Sequence, residues 1–557
     1  MESWSACYAW VRKCFGLRQS ACGWGYHSIV NSTSHPAARR AATGWRRSLA
    51  VLFTAAATGF APALAPAQSF NNGPAAARLP TLGDTARADL SPVVERKLGE
   101  AIMREVRSDR DYLDDDAISE YLNNFGGALV DAMPGTRGET NADFTFFPVR
   151  DGAINAFALP GGFIGVHSGL LLAAQTESEL ASVLSHEIGH VSQRHIARML
   201  GQQRQDALLP IAALILAALA AKASPDAAMG VVMGGQGLAV SRQLSFSRDA
   251  EREADRIGFQ IMGAGGYDTS GMVAFFRRLQ GATKVYGEIP AFLSSHPLTS
   301  ERIVDIQARI RETPYRQRPD SIEFHIAKAR ARVLQDQSTT GRRDTRTTLQ
   351  TQLAQQHRQQ QAAAQYGLSY LSLKEGDLAA ARSWYDKARA TLKPKEGAFS
   401  AAPQSDGGAM FAVLDLEIKL APGQPAEVAQ QAVKDAEQAA YRYPLSRALA
   451  RQYADAMIKA GRLDDAARYL RDQVQQYRED PKLYDLLAKA YSKQGKIALQ
   501  HMALAESYVL AGALPAAVDQ LNFARKASDV SFYEQSVIDA REREIKARQK
   551  EEKEEEK

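Results

Sequence analysis

His186-Glu187-Ile188-Gly189-His190 is the stretch of this 557-residue chain whose residue types and spacing could do chemistry. On a helix, residues four apart differ by about 40° in azimuth, so the two imidazoles project from one face. That geometry supplies two corners of a tetrahedral zinc site. Glu187 is turned by about 100° from His186, which puts it beside a metal instead of on it. From there its carboxylate can take a proton from zinc-activated water and pass it to a leaving amine. The motif lies in a helical pattern opened by Thr176-Glu177-Ser178-Glu179, a T-x-x-E capping box, and the spacing predicts a helix to about Leu200.

A zinc site needs a third protein ligand. A metzincin-type histidine would stand ten residues after His186, with Gly at the seventh, but those positions are Ile196 and Gln193. His195 falls one short and reads as a surface residue or a support behind a ligand. Arg248–Asp255 offers carboxylates instead. Glu251 and Asp255 are four apart and share a face. Glu251 would complete the set for one zinc per chain, and Asp255 would orient a ligating histidine through its other ring nitrogen. Glu253 is the competing ligand, turned about 160° from Glu251. His296, in Ser295-His296-Pro297-Leu298, follows a loop containing Gly and Pro. It could fill the metal's open position as a fourth ligand, or stabilise an oxyanion, against the blander reading of a structural histidine. The remaining histidines after the leader, His167, His325, His357 and His501, fit no ligand spacing.

The elements that must position these groups are mostly helical. Val93–Val106, Ile118–Met133 and Asp249–Met262 have helical periodicity, the last stopped at Gly263–Gly266. Phe144–Val149, Ile154–Leu159 and Phe163–His167 are of strand length, with Pro160-Gly161-Gly162 as the turn between the last two. Asn155, Ala156, Phe157 and Ala158 could offer an unpaired strand edge to an extended peptide; an ordinary internal strand is the alternative. Ala207–Ala221 is apolar throughout, but as a helix it would reach only about 22 Å, short of a hydrocarbon core of about 30 Å. A buried helix is the favoured reading, and a flap in peripheral contact with membrane lipid is the other. Gly234–Gly237 lacks the setting of a nucleotide loop and reads as a bend.

Thr313–Asp344 turns polar and basic, which marks a boundary, with Phe324–Leu334 as a candidate first helix of the next domain. Beyond it Ala, Tyr and Gly recur in helical patterns. Gly461 and Gly495 are 34 residues apart, the tetratricopeptide period, although Gly376 to Gly461 is 85. Small residues at Ala454, Ala466, Ala505 and Ala517 let paired helices approach. The expected organisation is a leader and signal peptide at 1–67, a linker at 68–90, a metallopeptidase domain at 91–312, a helical repeat domain at 320–545 and a charged tail at 546–557.

Lys and Arg outnumber Asp and Glu by 68 to 63, but seven basic residues and one acid lie in residues 1–67, leaving 61 against 62. That balance gives no reason to expect nucleic acid as a partner. The basic stretch Arg39–Arg47, the apolar run after it and Ala65-Pro66-Ala67 have the order of an export signal cut near Ala67. A membrane anchor is disfavoured by Pro62 and Pro66. Cys7, Cys14 and Cys22 all lie in the leader, so the exported chain would fold without disulfides.

HEIGH, the downstream E-x-x-A-D at Glu251–Asp255 and NAFALPGG at Asn155–Gly162 resemble the zinc metallopeptidase superfamily of HtpX and the CAAX prenyl proteases. The helical repeats and export signal are similar to the periplasmic outer-membrane-assembly peptidases of the BepA type. The resemblance spans the chain from about residue 90 to its end. It implies a mainly α fold with a small β-sheet, a gluzincin-type metallopeptidase domain followed by an α-helical tetratricopeptide-like solenoid. It also implies zinc on His186, His190 and Glu251. The function it implies is a periplasmic zinc endopeptidase in quality control and assembly of outer-membrane proteins. Its partners would be unfolded or stalled outer-membrane proteins and their assembly machinery, met through the repeats. The rival reading is a periplasmic chaperone or scaffold with an idle metal site.

Overall fold

The computed structural model describes residues 91–555 apart from 139–140, 202–246, 287–290, 317, 355–356 and 394–406. The leader, the linker, Ala207–Ala221 and the bend at Gly234–Gly237 lie outside the described residues. Elements are numbered among those described.

Two helices come first. α1 (Pro92–Ser108) starts behind Ser91, whose hydroxyl accepts from the Val94 amide, and Pro92 suits the first helical position. α2 (Asp116–Ala132) is capped by Asp115. A three-stranded sheet follows: β1 (Thr145–Val149), β2 (Ala156–Leu159) and β3 (Phe163–His167). The order is β1-β3-β2, with β3 parallel to β1 and antiparallel to β2. The central strand is buried along its whole length, which is why FIGVH reads as a continuous run without alternation. Gly161 and Gly162 turn the chain between β2 and β3 at φ of 77° and 89°. α1 seals one side of the sheet, with Ile102, Met103 and Val106 packed on Phe147 and Phe163.

After the short α3 (Ser168–Ala173) comes α4 (Glu177–Ser192). Its capping box forms as expected: Thr176 Oγ1 accepts from the Glu179 amide, and Glu179 Oε2 reaches back to the Gln175 amide at 2.7 Å. The helix does not continue to Leu200. It ends at Ser192, and α5 (His195–Gly201) starts after a break. Arg194 sits at φ 51°, a left-handed conformation that costs a non-glycine residue roughly 1–2 kcal/mol. Its guanidinium forks onto Glu95 of α1 at 2.9 and 3.0 Å, which holds the kink.

α6 (Arg248–Ala264) lies against α4. The crossing is close because it is made of small residues. A Cβ on Gly189 would stand 3.0 Å from the Ala254 carbonyl oxygen, and one on Gly258 would stand 3.0 Å from the His186 amide nitrogen. α7 (Ser270–Tyr286), α8 (Ala291–Ser295) and α9 (Ser300–Glu312) complete this part.

The rest is helical. α10 (Ile322–Gln335) and α11 (Thr339–Gln352) arise within the polar stretch predicted as a boundary. Then come α12 (Arg358–Lys374), α13 (Leu378–Leu392), α14 (Gly408–Lys419), α15 (Ala426–Arg442), α16 (Arg447–Lys459), α17 (Leu463–Gln476), α18 (Pro481–Gln494), α19 (Ile497–Leu510), α20 (Leu514–Arg525) and α21 (Phe532–Glu555). Gly376, Gly461, Gly495 and Gly512 occupy the tight turns α12/α13, α16/α17, α18/α19 and α19/α20, all at φ between 74° and 82°. The 34-residue interval from Gly461 to Gly495 is one helical pair. The 85 residues from Gly376 to Gly461 hold four helices among the described residues, α13 to α16.

α10 and α2 join the two parts. Arg330 of α10 donates to Asp115 at 2.7 and 2.8 Å and to Glu417 of α14 at 2.9 Å. Asp116 meets Arg451 of α16 and Lys482 of α18, each at 2.7 Å, and Glu120 accepts from Ser446 at 2.9 Å. A cavity of about 1180 Å³ remains between them, with Asp116, Glu120, Arg150, Arg447 and Lys482 in its wall.

Candidate metal centre

α4 supplies two imidazoles one turn apart, and α6 brings its acidic face to them. Donor atoms of His186, His190, Glu251 and His296 all lie within 4.8 Å of one another, and all four side chains are buried. His186 Nε2 is 3.4 Å from Glu251 Oε2, and His190 Nε2 is 3.5 Å from Glu251 Oε1. The α4–α6 crossing sets this approach, since Ala254 and Gly258 flank Asp255 and let the two backbones nearly touch.

Each ligand candidate has support behind it. His186 Nδ1 is 3.0 Å from Asp255 Oδ1. Burial pulls His186 down, but the hydrogen bonds to Asp255 and Glu251 outweigh it and push the ring up to about 9. Burial would raise Glu251, yet its bonds to His186 and His296 hold it well below the ordinary carboxylate range. Burial, with His186 beside it, pushes His190 well down. Two carboxylates and neutral-capable imidazoles facing inward form a pocket for a cation.

Glu187 is fully buried, and neither carboxylate oxygen makes a hydrogen bond of ordinary geometry, although the Ala158 amide faces it. Burial raises its pKa, opposed by His296 and His186. Its Oε1 is 3.4 Å from His296 Nε2. A carboxylate left orphaned in the interior is expensive unless something at the site uses it. The donor set and this unused carboxylate together fit a bound metal with a water to be deprotonated.

His296 ends α8, its amide bonded to the Phe292 carbonyl at 2.9 Å. Its ring stacks on Phe292 at 4.6 Å between centroids, and Nδ1 is 2.9 Å from Glu251 Oε1. α8 is also tied to the strand edge: the Phe292 amide donates to the Ile154 carbonyl at 3.2 Å. β2 pairs only with β3 among the described residues, and it runs beside α4. The segment Asn155–Ala158 is therefore an edge next to the metal-ligand candidates.

Two residues whose roles the residue pattern left open lie as follows. Glu253 stands outside the cluster, bonded to His195 at 3.1 Å and Arg198 at 2.9 Å. His195 is not on the surface: it is buried, with Nδ1 2.8 Å from His190 Nδ1. One residue of the site escaped sequence reasoning. Arg302 of α9 is 3% exposed; it forks onto Asp255 at 2.6 and 2.7 Å, meets Glu251 at 2.7 Å and donates to the Pro297 carbonyl at 2.8 Å. The signal was there. Arg302 and Ile306 are four apart on the buried face of an amphipathic helix, so a cation occupies a core position.

Residues 132–310 match the model of peptidase family M48. The beta-barrel assembly-enhancing protease of Escherichia coli K12 is 31% identical over 465 residues, which is 83% of this chain and 90% of that protein. The chain belongs to the M48 beta-barrel assembly-enhancing proteases. The counterpart from Yersinia pestis is 32% identical over 470 residues, covering 84% and 91%. The mitochondrial metalloendopeptidase OMA1 of Schizosaccharomyces pombe is 28% identical over 206 residues, 34% of this chain and 58% of that one. This M48 peptidase is thus a metalloendopeptidase whose helical region follows its peptidase domain, and His186, His190, Glu251 and His296 form a cluster that could hold a metal ion.

Proposed function

We propose that the M48 peptidase is an exported, periplasmic zinc endopeptidase that cuts extended or misfolded chains during quality control and assembly of outer-membrane proteins. The observation that carries this reading is the convergence of His186, His190 and Glu251 from two helices, with Glu187 orphaned beside them. Two imidazoles and one carboxylate suit zinc with one position open. The names of the bacterial relatives support the outer-membrane assignment. The basic leader and its apolar run support export. No helix among the described residues is long and apolar enough to cross a membrane.

When bound, zinc would supply Lewis acidity toward water and the scissile carbonyl. The chain's own groups do the rest. Glu187 accepts a proton from the attacking water and delivers it to the departing amine. Asp255 holds His186 in one tautomer, and Arg302 holds Asp255 and Glu251 in turn. Backbone groups of Asn155–Ala158 pair with an extended substrate as an added strand. His296 is a plug: its ring approaches as a fourth donor, and α8 also ties the start of the β2 edge through Ile154. Drawing α8 away would free both at once. The paired helices with glycine turns are read as tetratricopeptide-like repeats that take client segments and the assembly machinery.

The test is a trap. Full-length Glu187→Gln should keep its zinc, lose hydrolysis by about 10²–10⁴-fold and retain outer-membrane proteins on purification. Wild-type protein that binds the same clients yet never cleaves an unfolded one would favour the scaffold reading. His296→Ala should raise basal peptidase activity; a fall of about two orders of magnitude would make the ring an oxyanion donor instead.

A further inference from the structure

We infer that His195, backed by Glu253, is a positioning residue for the second histidine ligand. The inference rests on the ligand reading above and extends it to residues that reading leaves unused.

Bookkeeping of protons carries the argument. His190 presents Nε2 to the cluster, 3.0 Å from His186 Nε2, and turns Nδ1 away from it. A neutral imidazole that ligates through Nε2 keeps its proton on Nδ1, and that N–H needs an acceptor. The atom facing it at 2.8 Å is His195 Nδ1. His195 can accept there only if its own proton is on Nε2, and Nε2 faces Glu253 Oε2 at 3.1 Å. One pair of tautomers satisfies both contacts, running from ligand to imidazole to carboxylate. The His195 side chain is 1% exposed, so bulk water does not offer itself as the alternative acceptor.

The backbone is shaped for this contact. In an uninterrupted helix, His195 would lie five residues past His190, about 140° around the axis and on another face. The helix stops, Arg194 takes its left-handed conformation, and α5 begins with His195 folded back onto His190. Strain of this kind persists where the surroundings enforce it. Two ion pairs do so: Arg194 with Glu95 before the kink, and Arg198 with Glu253 after it. The two ligands are therefore braced differently. His186 meets a carboxylate directly, whereas His190 meets one through a second ring.

The experiment titrates zinc against a competing chelator in the full-length chain. The variants are His195→Leu, His195→Asn, Glu253→Gln and, as control, His190→Ala. His195→Leu should weaken zinc by about 10–100-fold. His195→Asn should recover most of that, because its carboxamide oxygen takes the place of Nδ1. Cobalt substituted for zinc should show a shifted visible spectrum in the Leu form and a near-native one in the Asn form. The stripped proteins should melt together, while the rise in Tm on adding zinc shrinks for His195→Leu. If the Leu form does not fold, Glu253→Gln still tests the relay, with weaker zinc binding expected by a smaller factor. Native affinity and native cobalt spectrum in His195→Leu overturn the inference, as does equal loss in the Asn and Leu forms. If His190→Ala also binds zinc like wild type, it is the ligand reading that fails.

Discussion

At the scale of single residues, replacing Arg302 by Leu removes the cation that faces Glu251 and Asp255 together. Breaking a buried pair from one side leaves uncompensated charge, at a cost of about 3–5 kcal/mol. Urea unfolding of Arg302→Leu should show that loss. A change below about 1 kcal/mol would mean the carboxylates find other partners. The candidate residues were singled out by spacing, His186, Glu187 and His190 by the one-turn interval and Glu251 and Asp255 by theirs, and the fold brings them together. Arg302 was not, because an arginine on a helix is usually a solvated charge. Its role depends on where α9 lands, and no local pattern encodes that. His195 was half legible. Its distance from His190 ruled it out as a metzincin ligand, but its contact needs the kink at Arg194, which a helical pattern conceals.

At the scale of elements, the candidate metal centre sits at a helix crossing. Gly258→Val would set a branched side chain against the His186 backbone, where a Cβ already meets the amide nitrogen at 3.0 Å. Overpacking of this kind costs about 1–3 kcal/mol and would move α6 outward. We expect zinc affinity in that variant to fall further than stability does, since Glu251 rides on the displaced helix. Chelator competition and thermal melting on the same samples compare the two; native affinity with a lowered Tm would show that the crossing has slack. Periodicity gave α1, α2 and α6 to within a few residues, because each buries one face, and the three strands showed as short apolar runs. It could not give the sheet order β1-β3-β2, which long-range pairing decides. The glycine turns were legible as turns. The extra helices between Gly376 and Gly461 were not, because the interval is not a multiple of the repeat.

At the scale of the molecule, α10 bears on both parts: it packs against α2 and α3 on one side and α12 on the other. His325 lies in it, and burial, with Lys328 and His357 nearby, pushes its ring down to about 4. The folded chain thus refuses a proton that the unfolded chain takes up near pH 6.5. Its contribution to stability is fully present above about pH 6.5 and is lost as pH falls toward about 4. Melting at about pH 7.5 and about pH 5 should therefore show a steeper loss for wild type than for His325→Gln. Equal losses would mean that the ring charges within the fold. The ion pairs of Asp115 with Arg330 of α10 and of Asp116 with Arg451 of α16 and Lys482 of α18 make α2 a shared wall between the helical region and the candidate metal centre, since the same helix packs on α4 and α6.

The edge strand β2 is only four residues long, roughly 13 Å of backbone. A client docking there, as proposed, would need a stretch of its own main chain unpaired. A finished β-sheet has spent those groups on its neighbours, and a barrel in particular has no edge left to lend. Selection at such a strand would ignore sequence almost entirely and respond to time. A client that closes its sheet quickly offers nothing to grip, and one that lingers half-paired keeps presenting a handle. The short edge would then act as a clock on folding, with cleavage rates following how long a strand stays single rather than which side chains it carries.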